Sequence, residues 1–202
     1  MSVSKTALLN KALTLVGAPP ITSITQDTNN ARILTTVYEV SLRSILSECK
    51  WNFATKRVNL SVSTETLAWT DVGETIIYIK PTDIIRIFGV NAPNIRWREE
   101  GDFIISDSSG LGLRYVAFVD DPTKFPGLFT DAFVDKLASD IAYQIVNSSS
   151  LGEKYLKKFE QLSLPKATAA NSQSGIQQRL QDDEWELSKF FDNQQGVSFP
   201  HA

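Results

Sequence analysis

One cysteine and one histidine are all that the 202 residues supply, and each scarcity excludes a kind of chemistry. Cys49 has no partner for an internal disulfide, and a thiolate metal centre needs further sulfurs or several imidazoles. The sequence therefore implies no metal and no cofactor. Nucleophilic catalysis of the Ser-His-Asp or Cys-His kind needs an imidazole held rigidly beside its nucleophile, whereas His201 is the penultimate residue. The chain also lacks the run of about 18 apolar residues that spans a bilayer. Met1 is followed by Ser2, Val3, Ser4 and Lys5, not by an apolar stretch behind a basic start, so the sequence predicts neither a membrane span nor a secretion signal.

Positive charge is not in excess either. Against 20 Lys and Arg stand 23 Asp and Glu, a formal net charge of -3. A nucleic-acid binder normally carries a basic footprint, and only residues 1–50, with five bases and three acids, are net positive. Contact with DNA would have to come from a surface assembled from several copies, or be nonspecific and weak.

What is present is enough apolar material, 42% of the residues, to bury one real core. The first helix reads from Ser4 to Val16, with Val3, Ala7, Leu8, Ala12, Leu15 and Val16 near one face, and Gly17 followed by Pro19 and Pro20 marks the stop. After the polar turn "TQDTNN", Leu34, Tyr38, Leu42, Ile45 and Cys49 recur at helical steps. From Val58 the period drops to two, and about six short strands are separated by Gly, Pro, Asp and Asn. Helical spacing returns with Phe129, Phe133, Leu137, Ile141 and Ile145. "SLGE" then reads as a capping box, Ser150 with Glu153, ahead of a helix that Pro165 stops or kinks. Beyond it lies a polar stretch, studded with Leu180, Trp185, Leu187, Phe190, Phe191 and Phe199, that is too hydrophilic to order by itself.

The expected architecture is thus α+β: an antiparallel four-helix bundle with an inserted antiparallel β-sheet module and an extended C-terminal arm. Its segments are a first helical half, 1–56, the β module, 57–126, a second helical half, 127–165, and the arm, 166–202. Helices flanking an inserted sheet must pack together, so the chain should leave and rejoin them at neighbouring points.

Two other chemistries merit weighing. Glycoside or peptidoglycan hydrolysis needs two facing carboxyls, one kept protonated, and Glu99 and Asp102 are the first candidates in the β module. Turn chemistry explains both positions more simply. Trp69 and Trp97 could serve a carbohydrate-binding sheet, although an amphipathic strand accounts for Trp97 equally well. "SSGLGL" is a hairpin turn rather than a phosphate cradle, since neither a helix nor a lysine follows it.

Three elements in fixed order carry a more specific signal. They are "LN-x-AL-x-x-x-G-x-PPI" from Leu9 to Ile21, "NAR" from Asn30 to Arg32, and "W-x-F-A-x-K-R" from Trp51 to Arg57. In them the chain resembles the tail tubular protein A, or head-to-tail adaptor, family of short-tailed phages. Past Arg57 the strands fit in kind only, and the helices from Phe129 to Leu162 match in position. The resemblance implies a structural virion protein at the head-tail junction, made in the host cytoplasm. It implies a dodecameric ring bound to the portal protein and the tail nozzle protein, with DNA passing through unread; an acidic subunit that gains from waiting for its template is expected to be a monomer when free. It also implies an arm reaching the portal, for which Arg179, Leu180, Trp185, Leu187, Phe190 and Phe191 are the candidate contacts. One departure is that Pro165 and "KATAANSQS" stand where related chains continue an Ala-rich and Arg-rich helix.

The segment "KWNFATKR", Lys50 to Arg57, lies where the helical period gives way to the strand period. Trp51 and Phe53 are therefore expected as apolar plugs at the joint between helices and sheet. Lys50, Lys56 and Arg57 are left to face solvent, a neighbouring subunit or the channel, with the subunit interface preferred because arginine suits interfaces.

Overall fold

In a computed structural model, residues 4–67, 69, 71, 73–91 and 94–174 are described. Helix α1, Lys5–Val16, begins where the Ser4 hydroxyl accepts from the Ala7 N–H, and it ends on Gly17 at a φ of 76°. That left-handed conformation suits glycine, and the Gly17 N–H returns to the carbonyls of Leu13 and Thr14. The following turn is pinned by Asn10, whose amide accepts from the Ile21 N–H and donates to the Ile21 carbonyl, both at 2.8 Å. Helix α2, Asn29–Glu48, is capped by Thr28 and buries Leu34, Tyr38, Leu42 and Ile45 along one face.

Helix α3, Gly127–Val146, is the hub. It buries Phe129, Phe133, Leu137 and Ile141, and α1, α2 and α4 all pack against it. Three aspartates on it fasten three neighbours. Asp131 pairs with Lys11 of α1 at 2.6 Å, and Asp140 accepts from the Ser41 hydroxyl of α2 at 2.5 Å. Asp135, its side chain only 4% exposed, takes Lys158 of α4 at 2.8 Å and the hydroxyl of Ser163.

The turn after α3 falls earlier than the sequence suggests. Asn147 adopts a left-handed φ of 52°, and the cap of α4, Ser149–Lys158, is Ser148, which accepts from the Leu151 N–H. The expected box of Ser150 and Glu153 thus lies inside the helix. Nor does Pro165 end it. A π turn over Phe159–Ser163 leads directly into α5, Leu164–Gln173. Proline lacks an N–H and crowds the carbonyl four residues back, and a wider turn just before it accommodates both defects. Residues 166–173, read from the sequence as the start of the arm, are therefore helical. Arg179, Leu180, Trp185, Leu187, Phe190 and Phe191 lie outside the described residues.

The expected bundle with one inserted sheet is overturned. The helices gather on α3 instead of sharing a bundle core evenly, and the strands form two three-stranded antiparallel sheets. One sheet has the order β1–β6–β3, from Thr55–Asn59, Gly112–Ala117 and Ile84–Val90. The other has the order β2–β5–β4, from Ile76–Ile79, Phe103–Ser106 and Trp97–Glu100. The physical reason lies in β6. Leu113, Tyr115 and Ala117 enter a second core with Tyr78 and Ile104, whereas Val116, on the alternate face, enters the helical core. A sheet buried on both faces needs a cover on each, and the second sheet supplies the one that the helices cannot.

Candidate functional site

The joint between helices and sheet is built from aromatic rings that arrive from both of its strands of chain. Trp51, 1% exposed, donates its indole N–H to the Ile45 carbonyl at 2.8 Å, which closes the end of α2. Its ring meets Phe129 edge-on at 4.8 Å between centroids. Phe53 contacts Phe129 at 4.7 Å and Phe125 at 5.7 Å, so the residues leading into β1 touch those leading out of β6. The β1–β6 ladder, with Thr55 opposite Val116, continues that junction. Such edge-to-face pairs contribute about 0.5–1.5 kcal/mol each beyond their buried area.

Helix α5 closes over the same joint. The Asn171 side chain accepts from the Asn52 N–H at 2.8 Å and donates to the Lys50 carbonyl at 2.7 Å. Asn52 returns a bond from its amide to the Asn171 carbonyl at 2.6 Å. This reciprocal clamp was not legible in the sequence, because the two asparagines stand 119 residues apart.

Lys56 and Arg57 take different positions. The Lys56 ammonium reaches Asp83 at 2.6 Å, and the Tyr115 hydroxyl donates to the same carboxylate at 2.9 Å. Partial burial works against ionisation of Asp83, but the bonds from Lys56 and Tyr115 outweigh it and hold the carboxyl below its usual range. Burial first, and then the Asp83 carboxylate, push the Tyr115 phenol up to about 12. Arg57 instead stands directly opposite Arg114 in the β1–β6 register. Sequence reasoning missed Arg114, since "LRYV" reads as an ordinary amphipathic strand until its register is known.

Arg57 and Arg114 share a cleft of about 890 Å³ with Lys50, beneath the last turn of α5. The Lys50 ammonium lies 4.5 Å from the centre of the Phe88 ring, and the Arg114 guanidinium lies 5.3 Å from it. Phe88 falls at a register break of β3, between Ile87 opposite Tyr115 and Gly89 opposite Arg114. A Cβ on Gly89 would stand 3.4 Å from the Arg114 guanidinium, an ordinary contact distance, so the arginine lies alongside this stretch of β3.

The carboxylates weighed for hydrolysis are dispersed among other duties. Glu99 on β4 is ion-paired with Lys80, and Asp102 stands in the turn to β5, where its carbonyl accepts from the Lys80 N–H at 3.0 Å. Trp69 is 70% exposed, whereas Trp97 packs against the second core. Among the described residues no group of three or more His, Cys, Asp or Glu is placed to hold a metal ion. No described helix is long and apolar enough to cross a membrane. Compared with known proteins, the chain matches no family model and no curated protein.

Proposed function

We propose that this chain is a noncatalytic head-to-tail adaptor of a phage virion. It would be a ring subunit that sits beneath the portal, joins it to the tail nozzle protein and surrounds the channel through which DNA leaves. The observation that carries this reading is the three-part motif between Leu9 and Arg57. Its support is that the motif residues have separable jobs in one continuous unit. Gly17 caps α1, Asn10 pins Ile21, and Ala31, Trp51 and Ala54 are buried. Lys56 is neutralised by Asp83.

The carboxylates in the β module speak for the same reading over a wall hydrolase. Glu99 is taken up by an ion pair with Lys80 and Asp102 stands in the turn to β5, so the fold already gives each of the two a structural place. In the proposed assembly the apolar residues of the arm, Leu180, Trp185, Leu187, Phe190 and Phe191, order against the portal as they bind. Such coupling exchanges chain entropy for a wide wrapped surface. The free subunit is a monomer that assembles on its template.

Electron microscopy of the protein mixed with portal rings of the same phage tests this. The expected result is a second ring stacked on the portal with matching symmetry, lost when residues 175–202 are deleted from an otherwise folded protein. Portal rings left bare by the full-length chain, together with clearing of a peptidoglycan zymogram that E99A or D102A abolishes, would overturn it.

A further inference from the structure

Ten of the eighteen lysines and arginines among the described residues pair with a carboxylate. Lys5, Lys11, Lys56, Lys80, Lys136 and Lys158 each pair with a carboxylate. Lys50, Arg57 and Arg114 line one cleft, and none of them forms an ion pair among the described residues. Two arginines directly opposite on neighbouring strands repel each other, and an anion between them reverses that sign. The guanidinium of Arg114 lies over the ring of Phe88, 5.3 Å from its centre. The arrangement is a seat for negative charge.

The cleft also lies where the described chain ends. Ser174, its last residue, lines it beside Asn171 and Ser172. Eight positions further on comes "DDEWEL", Asp182 to Leu187, with four carboxylates around one tryptophan. Eight residues span up to about 28 Å when extended, enough to return to the cleft from Ser174. A short tether of this kind raises the local concentration of its segment to the millimolar range.

We propose that the cleft of Lys50, Arg57 and Arg114 seats the chain's own segment Asp182–Leu187, folded back within the same subunit. The acids meet the three cations, and the segment lies across the joint under α5. A partner that takes up the C-terminal residues must first draw them off this seat, so release is salt-sensitive and is set by the cleft as well as by the partner. The inference does not rest on the adaptor reading. It concerns the free subunit and is tested without any portal.

Cys49 lines the same cleft and is the only cysteine, which makes it a built-in probe. In full-length Q181C, with diamide as oxidant at mildly alkaline pH, a disulfide between residues 49 and 181 should form within monomers. The rate should fall about tenfold in Q181C carrying R57E and R114E, the equivalent of about 1.4 kcal/mol. It should recover when D182K and D183K are added to that variant. Far-UV circular dichroism and a melting curve establish that each variant is folded, and Q181C with R57Q and R114Q stands in for any that is not. A rate indifferent to the arginines, or no recovery on charge exchange, overturns the proposal. Covalent dimers in place of closed monomers assign the seat to a second copy and overturn it as well. A short DNA duplex that blocks the disulfide at stoichiometric concentration, and binds equally to the chain ending at Ser174, makes the cleft a nucleic-acid site instead.

Discussion

The indole of Trp51 sits edge-on to the ring of Phe129, 4.8 Å between centroids, while its N–H is held by the Ile45 carbonyl. One side chain thereby closes α2, anchors α3 and fixes the point at which the chain turns into β1. The helical layer and the sheets are coupled through it.

Truncation at this position should be severe. W51A removes a fully buried indole and is expected to lower stability by about 3–5 kcal/mol, whereas W51F, which keeps a ring but strands the Ile45 carbonyl, loses about 1–3 kcal/mol. Urea denaturation followed by circular dichroism measures both. Equal effects of the two substitutions would show that the hydrogen bond, not the packing, dominates.

Asp135 is a buried carboxylate on α3 with two donors, and the two single removals are not equivalent. K158M leaves the charge buried with only the Ser163 hydroxyl, and D135N leaves a neutral acceptor in the same place. K158M should therefore be the more destabilising, by about 1–3 kcal/mol relative to the wild type. The reverse order in chemical denaturation would mean that Lys158, which is 43% exposed, contributes little to the site.

The triad of Lys56, Asp83 and Tyr115 predicts two pH effects of opposite direction. The Asp83 carboxyl is depressed in the folded state, so its stabilisation is complete above the unfolded value of about 3.9 and is lost as pH falls through the folded one. The stability gap between wild type and K56M should accordingly close in acid. The Tyr115 phenol is raised to about 12, so its contribution is full below about 10 and fades as pH rises from there to 12. Ultraviolet titration of D83N should show this phenol ionising nearer to 10, and an unchanged titration would remove Asp83 as a cause.

Helix α5 depends on the clamp between Asn171 and Asn52. N171A removes the acceptor for the Asn52 N–H and the donor to the Lys50 carbonyl while leaving the core untouched. Amide exchange in residues 164–174 should accelerate by roughly ten- to a hundred-fold, for a loss of about 1.4–3 kcal/mol, with exchange in α3 unaltered. Exchange that quickens equally in both helices would mean that α5 opens only with the whole domain.

Local features were readable from the sequence because their causes are local. Helical spacing located α2 and α3, Gly17 ended α1, and the two-residue period marked the short strands from Val58 onward, although β1 already begins at Thr55. Trp51 and Phe53 could be singled out because the period changes around them. The chain's poverty in cysteine and histidine bounded the chemistry before any geometry was known.

Tertiary structure decided everything that depends on which residues meet. Two sheets formed in place of one because β6 carries apolar residues on both faces, and alternation within a strand does not name its neighbours. Helix α5 continued past Pro165 because the π turn before it widened, a cost repaid by packing on α3 and by the clamp at Asn52. The separation of Lys56, neutralised by Asp83, from Arg57, facing Arg114, is likewise a matter of register. Spacing along a chain sets the face on which a side chain emerges, but the charge that it meets there comes from residues brought in by the fold.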